Sequence, residues 1–493
     1  MTDLPDGWEW ARLDELVTIN PRHFDVPPSD SDPVSLVPMA AVEAESGRMD
    51  PSRRAEYGEV KRKSLTPLQE GDVLFAKVTP CMENGKIAVA RNLIDGRGLG
   101  STELFALRAA GAIDPDYLAY YLLQSTVRRS AQAAMTGAVG LRRVPRTYLA
   151  ALELPLPPLA EQHRIVTALG RLLADWRAGA AQMAALARRI DRFRDQVMLM
   201  AGLGHLTPDG SGGSAPFPAP AGVQDGKLPS IPESWEWKRL EDVADVVGGV
   251  TKDGKRQSDP DFVEVPYLRV ANVQRARLDL AEVAQIKVSV RKAEQLRLLP
   301  GDVLLNEGGD RDKLGRGWVW EAQIPDCIHQ NHVFRARIRG DVLHPKLLAW
   351  HANGFGRRWF EVNGRQSVNL ASISLGKIKK FPVPVPPRTE QAKLVETAEE
   401  YLSLLDGMEK VVEAARQKAE RLRVSLLAEA FAGRLVPQDT DDEPASELLA
   451  RIRAERAVKV PKQRPRARRI QKELPAPPTR GTGDDYQQEA LPL

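Results

Sequence analysis

Residues 5–16 read PDGWEWARLDEL, and residues 232–243 read PESWEWKRLEDV, so the chain contains nearly the same stretch twice. The tetrapeptide GDVL follows in each copy, at residues 71–74 and again at residues 301–304. The offset between copies is 227 residues at the first pair and 230 at the second. This period exceeds the ~20–50 residues of solenoid repeats. The sequence therefore predicts a duplicated domain, and short apolar runs punctuated by Gly, Pro and Asp make each copy rich in strands.

Each copy closes with a proline-rich run, PLPPLAEQ at residues 155–162 and PVPPRTEQ at residues 384–391. Proline fixes φ and biases the residue before it towards extended backbone. Glu161 and Glu390 suit the positive first turn of a helix. We therefore expect a helix to begin just after each proline run.

Apolar residues follow both proline runs at spacings of three and four, which is the heptad pattern of a coiled coil. In the second copy they are Leu394, Ala398, Tyr401, Leu405, Met408, Val412, Ala415, Ala419, Leu422 and Leu426. In the first copy they are Leu169, Leu173, Trp176, Ala180, Met183, Leu186, Ile190, Phe193, Val197 and Met200. Each helix of about 40 residues would be about 60 Å long. Two such helices most simply pack on each other, and the alternative is a core helix inside each domain.

The segment between the copies, residues 202–229, is rich in Gly, Pro and Ala and has no periodicity. It is predicted to be a flexible linker that leaves the second copy free to orient. The tail from about Val458 is rich in Arg, Lys and Pro and is expected to be disordered. The predicted domains are a first mixed domain (1–158), a first spacer helix (159–201), the linker (202–229), a second mixed domain (230–387), a second spacer helix (388–432) and a C-terminal segment (433–493).

Composition limits the classes of protein that the chain can belong to. It has 493 residues, a formal net charge of +4 and two cysteines, Cys81 and Cys327, which exclude a disulfide framework and a four-cysteine zinc site. The start, MTDLPDGWEW, lacks an apolar signal stretch, and no window approaches the ~18 apolar residues of a membrane span. We expect a reduced, soluble, cytoplasmic protein. The weak positive charge would favour a polyanionic partner without establishing one.

Three patterns that suggest catalysis or metal binding are incomplete. GVTKDGKR, residues 249–256, has the GxxxxGK spacing of a phosphate loop, but Arg256 stands where Ser or Thr would ligate magnesium. Asp50 with Glu59 and Lys61 loosely resembles the acid–acid–lysine set of metal-dependent nucleases. His329 and His332 lie near Cys327 in sequence, yet no fourth zinc ligand is evident. The chain is therefore interpreted as a scaffold that binds rather than one that turns over substrate.

The W-E-W start and the proline-rich end of each copy, the two long helices and three further stretches together point to one family. The stretches are GDVLFAKVTPCMENGKIA (71–88), GDVLLNEGGDRDKLGRG (301–317) and FAGRLVPQDTDDEPASELLARIRAERA (431–457). The chain resembles the DNA-specificity subunit of type I restriction–modification systems. The resemblance implies an α+β fold with two mixed α/β target-recognition domains in a pseudo-two-fold arrangement, each followed by a long helix, the two helices forming an antiparallel coiled coil.

The resemblance also implies a role and partners. Each head would read one half of a bipartite, asymmetric site in double-stranded DNA, and the chain would do no chemistry itself. Two methyltransferase subunits would dock along the helices, bind S-adenosylmethionine and methylate adenine. Motor-nuclease subunits would join to cut unmodified DNA, so that ATP and Mg²⁺ are also expected on partners, and no cofactor or metal is expected on this chain.

Candidate DNA-reading residues are Arg, Lys, Asn, Gln and Thr side chains grouped in turns, since such groups hydrogen-bond base edges or phosphates. In the first head they are Lys77, Thr79, Asn84, Lys86, Arg142, Arg143 and Arg146; in the second they are Arg311, Lys313, Arg316, Gln330, Asn331, Gln366 and Asn369. For any one of them, a solvated loop or a structural hydrogen bond is the alternative. Because the heads differ in sequence within a shared frame, the two half-sites are expected to differ.

Two other functions remain open at this level. One is a DNA-acting enzyme, a nuclease or an NTPase built on GVTKDGKR. The other is a coiled-coil adaptor that recruits proteins and ignores DNA. Turnover by the purified chain would favour the first, and an absence of sequence preference among duplexes would favour the second.

Overall fold

The computed structural model describes residues 4–109, 111–138, 140–206, 217–252, 261–309, 313–366 and 371–459. The chain divides into two compact units, one formed by Met1–Arg171 with Val424–Leu493 and the other by Leu172–Arg423. We call them unit 1 and unit 2, and the mixed domains at residues 4–158 and 230–387 the first and second heads. The division falls inside both long helices, so each unit contains one head and segments of both helices. Mixed helices and sheets confirm the α+β class.

The first head is built mainly from two four-stranded sheets. Its strands are β1 (Glu9–Arg12), β2 (Val17–Ile19), β3 (Pro33–Val37), β4 (Arg54–Glu56), β5 (Thr66–Gln69), β6 (Val73–Ala76), β7 (Ile87–Val89), β8 (Arg97–Gly100), β9 (Leu104–Ala109), β10 (Thr136–Ala138), β11 (Leu141–Arg143) and β12 (Glu153–Leu156). Its helices are α1 (Leu13–Leu16), α2 (Tyr57–Val60), α3 (Pro115–Leu123), α4 (Ser125–Ala133) and α5 (Arg146–Ala150). The antiparallel sheet β2-β9-β6-β7 carries the apolar run Val73–Ala76 in its interior, and the sheet β4-β3-β8-β5 lies in the same head.

The second head repeats this plan with small changes. Its strands are β13 (Glu236–Arg239), β14 (Ala244–Gly248), β15 (Phe262–Leu268), β16 (Val273–Gln274), β17 (Arg277–Leu278), β18 (Ala284–Ser289), β19 (Val303–Asn306), β20 (Gly308–Gly309), β21 (Gly317–Val319), β22 (Ile328–His329), β23 (Val333–Ile338), β24 (Arg365–Gln366), β25 (Ala371–Ser372) and β26 (Pro382–Val385). Its helices are α7 (Leu240–Val243), α8 (Val290–Leu296), α9 (Pro345–Asn353), α10 (Gly356–Asn363) and α11 (Leu375–Ile378). The sheet β14-β23-β19-β21 takes the place of β2-β9-β6-β7.

In each head the entrance, by which we mean the W-E-W stretch at residues 5–16 or 232–243, contains the first strand, which pairs with the proline-rich last strand. β1 pairs with β12 and β13 pairs with β26, both antiparallel, so the W-E-W strand lies beside the proline-rich strand. The indole nitrogen of Trp8 donates to Glu161 at 2.9 Å, and that of Trp235 donates to Glu390 at 3.0 Å. These bonds fix the start of each long helix to the start of its head, which explains why tryptophan and glutamate recur together.

The glutamine of each E-Q pair connects the same helix to the rest of the head. Gln162 accepts from the backbone N–H of Asp114 at 2.8 Å and donates to the carbonyls of Ala112 and Pro157. Gln391 makes the matching set of bonds with the N–H of His344 and the carbonyls of Val342 and Pro386. Each amide thus satisfies backbone groups that packing would otherwise leave without partners.

The two predicted long helices are present, as α6 (Leu159–Leu203) and α12 (Arg388–Phe431), with 45 and 44 residues. Within unit 2 they run antiparallel. The indole of Trp176 donates to the carbonyl of Ala419 at 2.9 Å, while Arg194, further along α6, donates to Asp406 and Glu409 at 2.7 and 2.8 Å. Successive residues of α6 therefore contact residues of α12 in the reverse order.

The predicted apolar seam is only partly correct. Leu169, Leu173 and Ile190 of α6 are buried, as are Leu394, Ala398 and Val412 of α12. Six predicted seam residues are instead more than a third exposed: Leu186, Phe193, Met200, Tyr401, Met408 and Leu422. The exposed residues recur at multiples of seven, at 186, 193 and 200 on α6 and at 401, 408 and 422 on α12, so on each helix they share one heptad position that faces away from the contact.

Each long helix ends against the entrance of the other repeat. In unit 2, a Cβ at Gly204, just after α6, would lie 2.7 Å from Cγ of Pro232 and 2.8 Å from the ring of Trp235. In unit 1, Gly433, just after α12, packs in the same way against Pro5 and Trp8. The ring of Phe431 also lies 5.0 Å from that of Tyr117 in the first head.

Residues 217–228, expected to be part of the flexible linker, are held on the second head. The guanidinium of Arg239 donates to both carboxylate oxygens of Asp225, at 3.1 and 2.8 Å, and stacks 4.1 Å from the ring centroid of Phe217. Trp359 donates to the same carboxylate at 2.9 Å. This part of the predicted linker is therefore packed structure, and residues 207–216 lie outside the described residues.

The C-terminal segment contributes a helix, α13 (Ala445–Lys459), to unit 1. The N–H of Ala445 donates to the carbonyl of Gly7 at 2.9 Å, and Arg453 donates to Glu15 at 3.1 Å. The predicted basic tail beyond this helix lies outside the described residues.

Candidate DNA interface

In the first head, the structure brings two of the predicted clusters side by side. The chain leaves β6 and runs along the hairpin β10–β11: the N–H of Thr79 donates to the carbonyl of Arg142 at 3.0 Å, and the N–H of Val144 donates to that of Lys77 at 2.8 Å. On its other side, the N–H of Lys77 donates to the carbonyl of Glu103 at 3.0 Å. Residues more than 60 positions apart in sequence thus form one polar surface.

The side chains of this surface differ in whether they bond to other groups of the first head. Arg143 donates from Nη2 and Nε to the two oxygens of Glu103, at 2.7 and 2.9 Å, and this hydrogen bond lowers the pKa of the Glu103 carboxyl. The Lys77 ammonium lies 5.3 Å from the centroid of the Phe105 ring. Arg142, between them on the hairpin, is half-buried, and among the described residues no hydrogen bond or ion pair engages its side chain.

The segment Thr79–Lys86, which we call the first loop, follows directly. Its Thr79 hydroxyl donates to Glu83 at 3.0 Å, and the Lys86 ammonium donates to the carbonyl of Met39 at 2.9 Å. Asn84 is exposed at its turn. Lys86 therefore acts as a structural contact in this state, whereas Asn84 faces solvent.

Arg146 is the remaining candidate of the first head. It begins α5, is exposed, and donates from Nη2 to the carbonyl of Ile19 at 3.0 Å. That bond holds α5 to the end of β2, a structural role that the sequence did not indicate.

The second head contains the same backbone frame. The N–H of Glu307 donates to the carbonyl of His332 at 2.9 Å, and the N–H of Ile373 donates to that of Glu307 at 2.8 Å. The hairpin here is β24–β25, and β25 pairs with β20. Through these bonds, Glu307, His332 and Ser372 occupy the places that Lys77, Glu103 and Arg143 hold in the first head.

The side chains on this frame are chemically different. Nδ1 of His332 lies 2.9 Å from Glu307, and Nδ2 of Asn331 lies 3.3 Å from the other ring nitrogen of His332. The backbone N–H groups of Gln330 and Asn331 donate to Leu268 and Val250, which fixes both residues beside this pair. Of the three, only Gln330 and Asn331 are among the site residues predicted above, although His332 completes the same polar run in the sequence.

The other candidates of the second head lie around the same frame. Arg316 accepts at its carbonyl from Asn306, the last residue of β19, and Lys313 begins the described part of the following loop. Gln366 lies in β24, opposite Ala371. Arg311 and Asn369 lie outside the described residues, as do residues 253–256 of the GVTKDGKR stretch.

The Cys327 and His329 pair that was considered for zinc is part of the core. Burial raises the pKa of the Cys327 thiol to about 12 and lowers the pKa of His329 to about 4. Nδ1 of His329 is already 2.7 Å from the carbonyl of Val333. In the part of the chain that the structure describes, no group of three or more His, Cys, Asp or Glu side chains could hold a metal ion, and no helix is both long and apolar enough to cross a membrane.

Comparison with known proteins gives a consistent result. Residues 5–178 match the family described as type I restriction modification DNA specificity domain. The chain is 24% identical over 483 residues to the type I restriction enzyme EcoEI specificity subunit of Escherichia coli, covering 84% of this chain and 81% of that one. It is 26% identical over 363 residues to the StySPI specificity subunit of Salmonella potsdam, covering 72% and 74%.

A solved structure has the same fold. The chain aligns with a TM-score of 0.66 and 20% identity to a chain from work on complex assembly and conformational transition of the type I R-M system, covering 88% of this chain and all of that one. The resemblance predicted from the sequence is therefore confirmed.

Proposed function

We propose that this chain, which belongs to the family of DNA-specificity subunits of type I restriction–modification systems, reads a bipartite, asymmetric DNA target and is itself non-catalytic. Each head would read one half-site. Direct reading of a base edge requires hydrogen-bonding side chains held in register with the groove, and a bidentate contact contributes ~1–3 kcal/mol of discrimination.

The observation that supports this most is the shared frame with exchanged side chains. Both heads form the same backbone bonds between the segment after β6 or β19, the strand β9 or β23 and a hairpin. Backbone bonds do not depend on side-chain identity, so a different set of polar groups can be presented at the same place. Two heads that recognise different half-site sequences require this arrangement.

The finer architecture is part of the proposal. The heads would be related by a pseudo-two-fold axis, with α6 and α12 forming an antiparallel coiled coil that separates the half-sites. The contacts of Gly204 with Pro232 and of Gly433 with Pro5 support this, because each helix ends at the entrance of the other repeat. Such an axis would match the two-fold symmetry of a DNA duplex backbone.

Methyltransferase subunits would dock on the apolar residues that the helices leave exposed. On α12 these are Tyr401, Leu404, Met408 and Val411, and on α6 they include Leu186, Phe193 and Met200. Exposed apolar stripes of this kind are typical of protein–protein interfaces. Motor-nuclease subunits would complete the assembly, and S-adenosylmethionine, ATP and Mg²⁺ would be bound by these partners.

The proposed DNA contacts are drawn from the sequence candidates, which we rank by their bonds within each head. Arg142 and Asn84 in the first head, and Gln330 and Asn331 in the second, are best placed to contact bases. Arg143, Arg146 and Lys86 would instead hold the frame. Lys77, Thr79, Arg311, Lys313, Arg316, Gln366 and Asn369 would contribute base or phosphate contacts from the loops and hairpins.

The test is binding-site selection from a random duplex pool by the chain in complex with methyltransferase subunits. The expected result is two short, different words separated by a spacer of fixed length, with affinity that falls as salt concentration rises. A single contiguous word, or no preference, would overturn the proposal.

The same experiment separates the two alternative functions. Cleavage of DNA or sustained ATP hydrolysis by the isolated chain would indicate an enzyme. Binding of the partner proteins with no preference among duplexes would indicate an adaptor.

A further inference from the structure

The first loop, Thr79–Lys86, rests on a buried guanidinium. Arg128, on α4, is only 9% exposed. Its Nη1 donates to the carbonyl of Glu83 at 2.7 Å, its Nη2 donates to the carboxylate of Glu45 at 2.6 Å, and its Nε donates to the carbonyl of Leu123 at 3.3 Å. One side chain thus connects the loop to two other segments of the head.

Glu45 holds the loop from a second side. Its backbone N–H donates to the carbonyl of Gly85 at 2.9 Å, and the neighbouring Ala44 forms an isolated antiparallel bridge with Lys86. Gly85 has φ of +66°, a conformation that favours glycine, and a Cβ at this position would lie 3.0 Å from Nη1 of Arg128. The loop therefore has little freedom to shift while Arg128 and Glu45 remain in place.

One hydrogen bond links the contact between Arg128 and Glu83 to the candidate DNA-reading residues. The carbonyl of Glu83 is held by Arg128, and the carboxylate of Glu83 accepts from the hydroxyl of Thr79. Asn84, the exposed residue of the turn, is adjacent in sequence. Displacing Arg128 would release the backbone at Glu83 and would change the direction in which Thr79 and Asn84 point.

The second head supports its loop at the same position with different chemistry. Gly315, the counterpart of Gly85, has φ of +65°, and a Cβ there would overlap the ring of Phe360. Phe360 lies on α10, which follows α9 as α4 follows α3, and it is fully buried. A ring can fill the space under a loop but cannot hydrogen-bond its carbonyl. Among the described residues, the second head has its directional support two residues further on, where the side-chain amide of Asn353 donates to the carbonyl of Gly317 at 2.8 Å.

We propose that Arg128 is a positioning residue that sets the base preference of the first half-site without contacting DNA. This inference rests on the proposed function. A buried guanidinium is costly unless it is fully paired, and its value is then the geometry that it imposes. The consequence is specific: altering Arg128 changes what the first head reads and leaves the second head unaffected.

The test is binding-site selection with the methyltransferase complex containing Arg128→Ala, and in parallel Glu45→Gln, which keeps the shape of the side chain and removes its charge. With Arg128→Ala we expect discrimination within the first word to fall about tenfold, the order expected for loss of one good base contact. The second word and the spacer are expected to stay unchanged. Glu45→Gln is expected to have a smaller effect on the same word.

Arg129→Ala is the matched control, because Arg129 is exposed on the same helix and, among the described residues, its Nε donates only to the carbonyl of Ser125 within that helix. It should leave both words intact. A merely structural role for Arg128 would lower melting temperature and weaken binding to all sequences equally, and that result, or an unaltered first word in both Arg128→Ala and Glu45→Gln, would overturn the inference. If Arg128→Ala fails to fold, Glu45→Gln decides alone. Failure of the proposed function would be seen separately, as a wild-type complex without two words.

Discussion

The first and second heads place different chemistry on the same backbone frame. After β6 the first head has Lys77 beside Glu103, and Glu103 is paired with Arg143; after β19 the second head has Glu307 paired with His332. The backbone bonds around these residues are nevertheless the same. The same backbone bonds therefore form in both heads although the polar side chains beside them differ.

The entrances of the two heads differ in a way that bears on stability. Arg12 and Arg239 occupy equivalent positions in the repeat. Arg12 pairs with Asp14, and both side chains are 40% exposed or more, whereas Arg239 pairs with Asp225 while the two are 10% and 3% exposed. The buried pair also attaches residues 217–228 to the second head, for which the first head has no equivalent among its described contacts.

The largest expected effect follows from this difference. Asp225→Ala leaves the guanidinium of Arg239 and the indole N–H of Trp359 buried without their acceptor, and breaking such a buried pair costs about 3 kcal/mol. We expect faster hydrogen–deuterium exchange in peptides covering residues 217–239 of the full chain. Asp14→Ala is the matched control and should cost less than ~1 kcal/mol, because exposed pairs contribute little. Equal effects of the two substitutions would contradict the distinction between the entrances.

The tryptophan–glutamate bonds give a second, smaller contrast. Glu161 is 1% exposed, its Oε1 has no partner among the described residues, and burial raises the pKa of its carboxyl. Glu390 also accepts from the hydroxyl of Ser234 at 3.2 Å. Trp8→Phe removes the indole donor from a buried carboxylate and is expected to destabilise unit 1 by ~2 kcal/mol, within the cost of an unsatisfied buried group.

Trp235→Phe is the comparison for this prediction, and we expect it to destabilise unit 2 by ~1 kcal/mol, the net value of one hydrogen bond. Exchange rates of peptides from the two entrances of the full chain measure both effects. A larger effect at Trp235 would show that the difference in burial between Glu161 and Glu390 does not control the strength of these bonds.

The sequence predicted what depends on local chemistry. The many strands of each head and the start of both long helices after the proline runs are as predicted. The helix starts could be predicted because proline restricts its neighbours wherever it occurs. The predicted seam is wrong at Leu186, Phe193 and Met200, because these residues share one heptad position and the spacing alone does not show that this position stays exposed. Residues 217–228 lack periodicity, and nothing local indicates that Asp225 meets Arg239 and Trp359.

The candidate interface was predictable to a similar extent. Residue type and turn chemistry identified Lys77, Thr79 and Arg142 as members of clusters, and the structure brings these clusters together. The internal partners on which the proposed roles depend are distant in sequence: Arg143 bonds to Glu103, and Arg128 bonds to Glu45. Neither pair has a recognisable spacing, so one sequence could not assign Arg143 to the frame or single out Arg128.

The smallest expected effect concerns the ion pair between Arg143 and Glu103 at the hairpin of the first head. The Arg143 hydrogen bond lowers the pKa of Glu103 in the folded chain, so this carboxylate contributes stability above the pKa of an unfolded glutamate, and the contribution is lost as pH falls through the lower folded value. Both side chains are about a third or more exposed, so solvent screening limits the contribution to less than ~1 kcal/mol. Glu103→Gln should therefore melt slightly below the wild type at pH 7. The difference should shrink as pH falls past ~4.3, the pKa of an unfolded glutamate, and should vanish once pH is below the lowered pKa of the folded chain. If the difference instead grew as pH fell, Arg143 would not be held by a charged Glu103.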